Sequence, residues 1–254
     1  MSTGKSWEAV AQNYRLLSEP QIRPDQVKEF VRGTTPASTS QSDSESRLAF
    51  IQALVSKLHK EVRYTGIEFG QSELQPQPQP PSEVLKRHYG DCKDKASLLV
   101  AMLRDSGIPA DMALLNAGPA RDVTPELPGM NQFDHAIVYV PAAAPGGEAL
   151  WIDATAEFTR VGDIPYGDQG RLALIIADGT KELTSTPVAR PEDSVLIETR
   201  DFSCRTMAQP RPSSPRRPPA TSIPTTAQSM AIPEIRRCGP RSRTMSEALT
   251  LPKP

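Results

Sequence analysis

The sequence predicts an α+β fold. Helical apolar spacing fills the first part of the chain, and apolar runs of strand length follow from about residue 111. A third observation concerns a cysteine. In RHYGDCKDKASLL, Arg87 to Leu99, Cys92 stands where a Gly-Asp pair meets the start of a helical pattern. Such a cysteine can be a buried small hydrophobe, a metal ligand or a nucleophile.

The elements follow in order. Trp7, Val10, Ala11 and Tyr14 recur at helical spacing, so 6–18 is an amphipathic helix. Pro24 and Asp25 open a short second helix carrying Val27, Phe30 and Val31, which Gly33 ends. A polar linker, 33–44, leads to a helix over 45–61 whose buried stripe is Leu48, Ile51, Leu54, Val55 and Leu58. VRYTGIEF, 62–69, is a strand or extended segment, and ELQPQPQPPS, 73–82, is extended and superficial. Ser82 caps a short helix, SEVLKRHY. After Cys92, the residues Ala96, Leu99, Val100 and Leu103 continue a helix that Gly107 and Pro109 stop near Asp105. Strands are expected at 111–118, 133–140, 149–155, 171–177 and 194–202.

The charge is unevenly spread. The chain of 254 residues carries a net −1, but the last fifty carry +7, which leaves −8 on the first 204. No global field attracts nucleic acid or a membrane surface. Ten of the last fifty residues are Pro, and no apolar period persists there. That segment cannot bury enough surface to offset its ordering entropy, so 205–254 is expected to be a disordered Pro/Arg-rich tail. Three cysteines, Cys92, Cys204 and Cys238, argue against a disulfide framework, and none shares C-x-x-C spacing. No apolar run approaches membrane-spanning length, and MSTGKSWEAV lacks a signal-peptide core. As written, the chain is expected to be cytoplasmic, without a membrane or nucleic-acid partner.

A cysteine in the first turn of a helix meets unpaired N–H groups and the positive end of the helix dipole, which favour the thiolate. The same N–H groups can hold an oxyanion. Lys93 and Lys95 add positive charge, which Asp91 and Asp94 oppose. Taken alone, a lone cysteine is more often structural. Downstream, His135 lies in FDHAIVY and Asp153 in WIDAT. A hairpin symmetric about the loop Pro141–Glu148 places position 135 opposite 153 or 154, within cross-strand reach. Asp153 could then fix the tautomer of His135, whose other nitrogen would face the thiol. His59, on a helix beside Lys57, Lys60 and Glu61, is expected to be a solvated surface residue, and His88 is expected to have no role.

At these residues the chain resembles a family. HYGDCKDKASLLVAML, FDHAIVYV and LWIDAT are similar to the core of the transglutaminase-like superfamily, in particular to bacterial proteins carrying G-D-C-K-D-K. The resemblance spans about residues 6 to 190 and includes SWEAVAQNYR and VRYTGIEFG. It implies a papain-like α+β core, with the nucleophile helix packed on an antiparallel sheet. It implies Cys92 as nucleophile, His135 as base and Asp153 as orienter. It also suggests an aromatic near the oxyanion site, for which Tyr64 is the first candidate and Tyr89 the second. Relatives usually carry a β-rich domain before this core, often with an export signal, and continue as β-structure after it. This chain is therefore expected to be truncated at both ends.

The expected organisation is a helical lead-in over 1–62, a transglutaminase-like core over 63–190, a terminal strand over 191–204 and the tail. The expected activity is cysteine-dependent acyl transfer on protein or peptide amides through a thioester, with hydrolysis favoured over cross-linking. No cofactor is implied. A catalytically silent binding module is the alternative. A zinc site of Cys92, His135 and Asp153 is the third reading, disfavoured because no fourth ligand presents itself.

Overall fold

The computed structural model describes residues 4–34, 44–66, 77–118, 120–144 and 146–190. The expected linker, much of the Pro-rich segment, the strand at 194–202, the tail, Cys204 and Cys238 fall largely or wholly outside the described residues.

The helix that begins at the cysteine organises everything else. Helix α5 (Cys92–Asp105) is buried at every residue from Asp94 to Leu103. A helix apolar on one stripe needs one layer of cover, whereas this one needs cover on all sides. Helix α3 (Ser44–Glu61) and helix α4 (Pro81–Arg87) pack against it from the helical part of the chain, as does α2 (Lys28–Val31). On another side lies the sheet. Its strands are β3 (Asp111–Leu115), β4 (His135–Val140), β5 (Leu150–Ile152), β6 (Leu172–Ile175) and β7 (Thr184–Ser185). They lie in the order β5-β4-β3-β6-β7, with every neighbouring pair antiparallel.

Strand alternation divides the core in two. Ala136, Val138 and Val140 join the core built on α5, together with residues of the helical layer such as Tyr14, Leu54 and Leu58. Ile137 turns the other way, into a smaller cluster with Leu115, Trp151 and Ile164. Tyr139 and Trp151, paired across β4 and β5, meet edge to face at 5.0 Å on that second side.

Helix α1 (Trp7–Ser18) is capped by Ser6, whose hydroxyl accepts from the Ala9 N–H at 3.2 Å. The Trp7 indole donates to the Pro125 carbonyl at 2.7 Å, tying α1 to the loop between β3 and β4. At the far end of α5, Gly107 has φ +75. The Ile108 N–H returns to the Leu103 carbonyl at 2.9 Å, and Gly107 N–H to Arg104 at 3.1 Å, a Schellman closure. Arg104 then joins three elements, bonding Glu19 at 2.6 Å, Asp111 at 2.8 Å and the Ala110 carbonyl at 2.8 Å.

Several sequence expectations need correction. Leu48 is 38% exposed, and Phe50 takes its place in the buried face of α3. Ser82 does not cap α4. That helix starts at Pro81, whose fixed φ suits the first turn, and the Ser82 N–H goes instead to Gln26 at 3.2 Å. The second helix begins as a 3-10 turn, Pro24–Gln26, before α2. Strand β1 (Arg63–Tyr64) is only two described residues long and runs parallel to β2 (Tyr89–Gly90).

Gly90, just before the cysteine motif, is a packing requirement. A Cβ there would lie 2.8 Å from the Asp94 Cβ and 3.4 Å from Val84. Gly90→Ala should therefore push the start of α5 away from α4, at a cost of roughly 1–3 kcal/mol. Urea unfolding followed by tryptophan fluorescence measures this, and an unchanged midpoint would refute it.

Candidate active site

The motif Gly90–Lys95 divides its labour residue by residue. Asp91 is the N-cap of α5, its Oδ1 accepting from the Asp94 N–H at 3.1 Å, and Lys93 pairs with its Oδ2. The Asp94 carboxylate is buried and accepts from the Gln79 N–H at 2.8 Å, which fixes the extended segment leading into α4. Burial first, then Asp91, raises the Asp94 pKa. Lys95 is 1% exposed and donates to the Val62 carbonyl at 2.8 Å, satisfying the chain just past α3. Burial lowers its pKa to about 8, against the pull of Asp153 and Glu157. Of the four charged residues around the cysteine, Asp91 and Lys93 close the start of α5, and Asp94 and Lys95 tie it to its neighbours. They are not a diffuse field.

Cys92, a free half-buried thiol, occupies the first helical position. Its partner comes from the sheet. His135 is the first residue of β4, and its Nε2 lies 3.3 Å from Asp153 Oδ2. That leaves Nδ1 as the ring nitrogen for the cysteine. Burial pushes the His135 imidazolium down. The hydrogen bonds and charges of Asp153 and Cys92 outweigh it, and the pKa stands well above the usual histidine value. Asp153 is also buried. Burial would raise its carboxyl, but His135 and the Thr155 hydrogen bonds hold it below the ordinary value. Its Oδ1 accepts from the Thr155 N–H at 2.8 Å and hydroxyl at 2.7 Å, so its own following turn aims the carboxylate.

The route to that contact differs from the expected one. β4 and β5 pair Val138 with Ile152 and Val140 with Leu150. Continuing that register puts Asp153 across from Ile137, two positions from direct opposition to His135. The two side chains share a face and meet on the diagonal. The reason is the loop. β5 begins at Leu150, so the turn is a residue longer than the sequence suggests.

Tyr64 lies on β1, paired with Gly90, and is 48% exposed. Tyr89 is half-buried, with the Arg87 guanidinium 5.3 Å from its ring centre. Two further residues escaped the sequence. Tyr14 of α1 is buried within electrostatic reach of Cys92. Burial, then Cys92, Asp91 and Asp94, raise its hydroxyl pKa. Its helical spacing had marked it only as core. Asp168, in the 3-10 turn Tyr166–Asp168, lies against Asp153 and His135. In YGDQG nothing distinguishes it from a turn acid. His59 is likewise corrected. It is half-buried with Nδ1 3.4 Å from the Lys95 ammonium, and burial followed by Lys95 lowers its pKa.

Ligand atoms of His135, Asp153 and Asp168 fall within 4.8 Å of one another. Donors around a zinc-sized ion bound at ~2.1 Å lie closer, about 3.5 Å apart. Here Nε2 and Oδ2 already face each other, so the arrangement is that of a hydrogen-bonded chain. A separate surface cleft, lined by Arg47, Phe50, Ile108 and Pro141, sits at the C-terminal end of α5 and contains none of these groups.

Residues 33–152 match the family model of the transglutaminase-like superfamily, and the α+β core fits that match. Cys92 and His135 lie inside the match, and Asp153 follows its last residue. Among solved structures, the chain is similar to a presumed protease from Parabacteroides distasonis, at 16% identity and TM-score 0.49. That likeness covers 72% of this chain and 32% of the other. It is also similar to a presumed cysteine protease from Cytophaga hutchinsonii, at 17% identity and TM-score 0.38, over 69% of this chain and 53% of the other. The chain thus spans about a third and about half of those two proteins. No curated relative matches it.

The pair His135–Asp153 makes a signed prediction. A raised His135 pKa gives stability that is complete below its unfolded value of about 6.5 and is lost as pH rises through the folded value. A lowered Asp153 pKa gives stability present above about 3.9 and lost as pH falls through its folded value. The Tm advantage of wild type over His135→Gln should therefore be largest near pH ~5 and shrink above neutrality. A flat difference from pH 5 to 9 in thermal melts would rule the ion pair out.

Proposed function

We propose that this core is a cysteine-dependent acyl-transfer catalyst acting on protein or peptide amides, with Cys92 as nucleophile, His135 as general base and acid, and Asp153 as orienter. The observation that carries the reading is the placement of His135. Its Nε2 faces Asp153 at 3.3 Å, and Cys92 and Asp153 together favour its charged form. A thiol at a helix N-terminus, beside an imidazole held by a buried carboxylate, is what nucleophilic catalysis requires.

The steps follow from the geometry. His135 takes the Cys92 proton, and the thiolate attacks the carbonyl carbon of a carboxamide. The developing oxyanion meets the first-turn N–H groups of Cys92 and Lys93, which by position lack intrahelical acceptors, because the cap engages Asp94 and Lys95. The C–N bond breaks as His135 returns the proton to the leaving amine. Water or a second amine, deprotonated by His135, then releases the acyl group from sulfur. Tyr64 and Tyr89 are proposed to flank the oxyanion site through the β1–β2 pairing beside Gly90. The machinery belongs to 63–190, with 1–62 as helical lead-in. Among the described residues no helix is long and apolar enough to cross a membrane.

The test is the alkylation rate of each cysteine against pH, read by peptide mass spectrometry. Cys92 should react faster than Cys204 and Cys238 near neutrality and lose that advantage in His135→Ala. Hydrolysis of a glutamine-containing peptide should fall by about 100-fold or more in His135→Ala and to background in Cys92→Ala. Equal reactivity of the three thiols would leave a silent binding module as the better description.

A further inference from the structure

Asp168 takes no part in those steps, yet it is 3% exposed and lies against the pair that carries them. Its place is fixed by the backbone. The Thr186 hydroxyl, beside β7, donates to the Asp168 carbonyl at 2.5 Å, and the Asp168 N–H closes the turn on Pro165 at 2.9 Å. The side chain is different. Among the described residues its buried Oδ2 receives no hydrogen from any donor. What the carboxyl faces is the pair itself: one oxygen each of Asp168 and Asp153 and a ring nitrogen of His135 lie within 4.8 Å of one another.

Two carboxylates can share a hydrogen bond only if one of them holds a proton. Asp153 cannot be the holder, because His135 and both Thr155 donors favour its ionised form. A proton shared by the two carboxyls would therefore sit on Asp168. Burial first, then the charge and hydrogen bond of Asp153 and the charge of Asp134, raise the Asp168 pKa to about 6, while His135 opposes them. The charged groups in reach are thus Asp134 and His135 at the head of β4 and Asp153 after β5. Cys92 lies beyond His135, and Lys95 and Glu157 beyond Asp153.

We propose that Asp168 is a positioning residue that acts through Asp153: its carboxyl proton holds Asp153 toward His135, and loss of that proton sets a second negative charge beside the imidazole. The proposal rests on the Cys92–His135–Asp153 reading and extends it to a four-group chain. In the protonated state Asp168 donates to Asp153. When the proton leaves to water, the His135 imidazolium faces two carboxylates instead of one and holds its own proton more tightly.

The experiment is the NMR titration of the three imidazoles and the aspartate carboxyl carbons in the histidine- and aspartate-labelled full chain, in wild type, Asp168→Asn and Asp168→Ala. The wild-type His135 curve should carry a second inflection near the Asp168 value of about 6. Both variants should abolish it and lower the main His135 midpoint by roughly one unit, since the second negative charge is gone. His59 and His88 serve as controls. A merely structural Asp168 would change the melting temperature and leave the His135 curve in place, and superimposable curves overturn the proposal. Should the variants fail to fold, wild type alone decides: no inflection near pH 6 in His135, or in the Asp168 carboxyl carbon, also overturns it. Cys92 alkylation separates the two readings. If His135 responds to Asp168 while Cys92 reactivity ignores His135, the acyl-transfer reading falls and this coupling stands.

Discussion

A helix buried on every side has only its ends left for chemistry, and that constraint on α5 shapes the protein. From Asp94 to Leu103 its surface is covered by three helices and a sheet. Its C-terminal end is closed by backbone bonds from Gly107 and Ile108. The N-terminal end stays polar, and the sequence there is almost entirely charged. Each charge in that stretch faces a cost of burial that only a partner can offset. Asp94 finds a backbone N–H, Lys95 a carbonyl, and Lys93 the capping carboxylate. The cysteine at this end lacks such a structural partner and faces the histidine.

The same reasoning explains the electrostatics at the sheet's edge. Burial alone would strip His135 of its proton and give one back to Asp153. Their contact reverses both tendencies, because each charge is worth more beside the other than either loses by leaving water. The reversal leaves Asp168 with no cation of its own. It therefore shifts upward where Asp153 shifts downward, although both are buried aspartates a few ångströms apart. Opposite shifts in neighbouring acids are the usual sign of divided roles.

Much of this was legible in the sequence. The helical spacing after Cys92 and the alternation around His135 located both residues on the right elements, since period and strand alternation are local properties. Asp153 was legible as a member of the face but not in its register, because one extra loop residue moves a hairpin pair without leaving a mark on composition. The burial of Lys95 and His59 was not legible. Charged side chains at helical spacing look like a solvated face until a second helix covers them. Asp168 was the least accessible of all. It reaches the site through a turn whose position depends on β6, β7 and Thr186, all of them distant pairings with no local signature. The strand expected over 194–202 and the tail lie beyond the described residues.

The covering of α5 also has a consequence in time. The helices that flank it precede it or adjoin it in sequence, but the strands that cover its other side come later, and the indole of Trp7 waits for a carbonyl at Pro125. A chain emerging from the ribosome presents α5 as an apolar helix without its sheet until β4 has been made. Its carboxylate chain is incomplete until Asp168 follows. Domains closed by such long-range contacts fold late and expose sticky intermediates meanwhile. Cys92 is thus synthesised well before His135, Asp153 and Asp168, and during that interval it is a cysteine on an unfinished chain, without the neighbours it has in the fold.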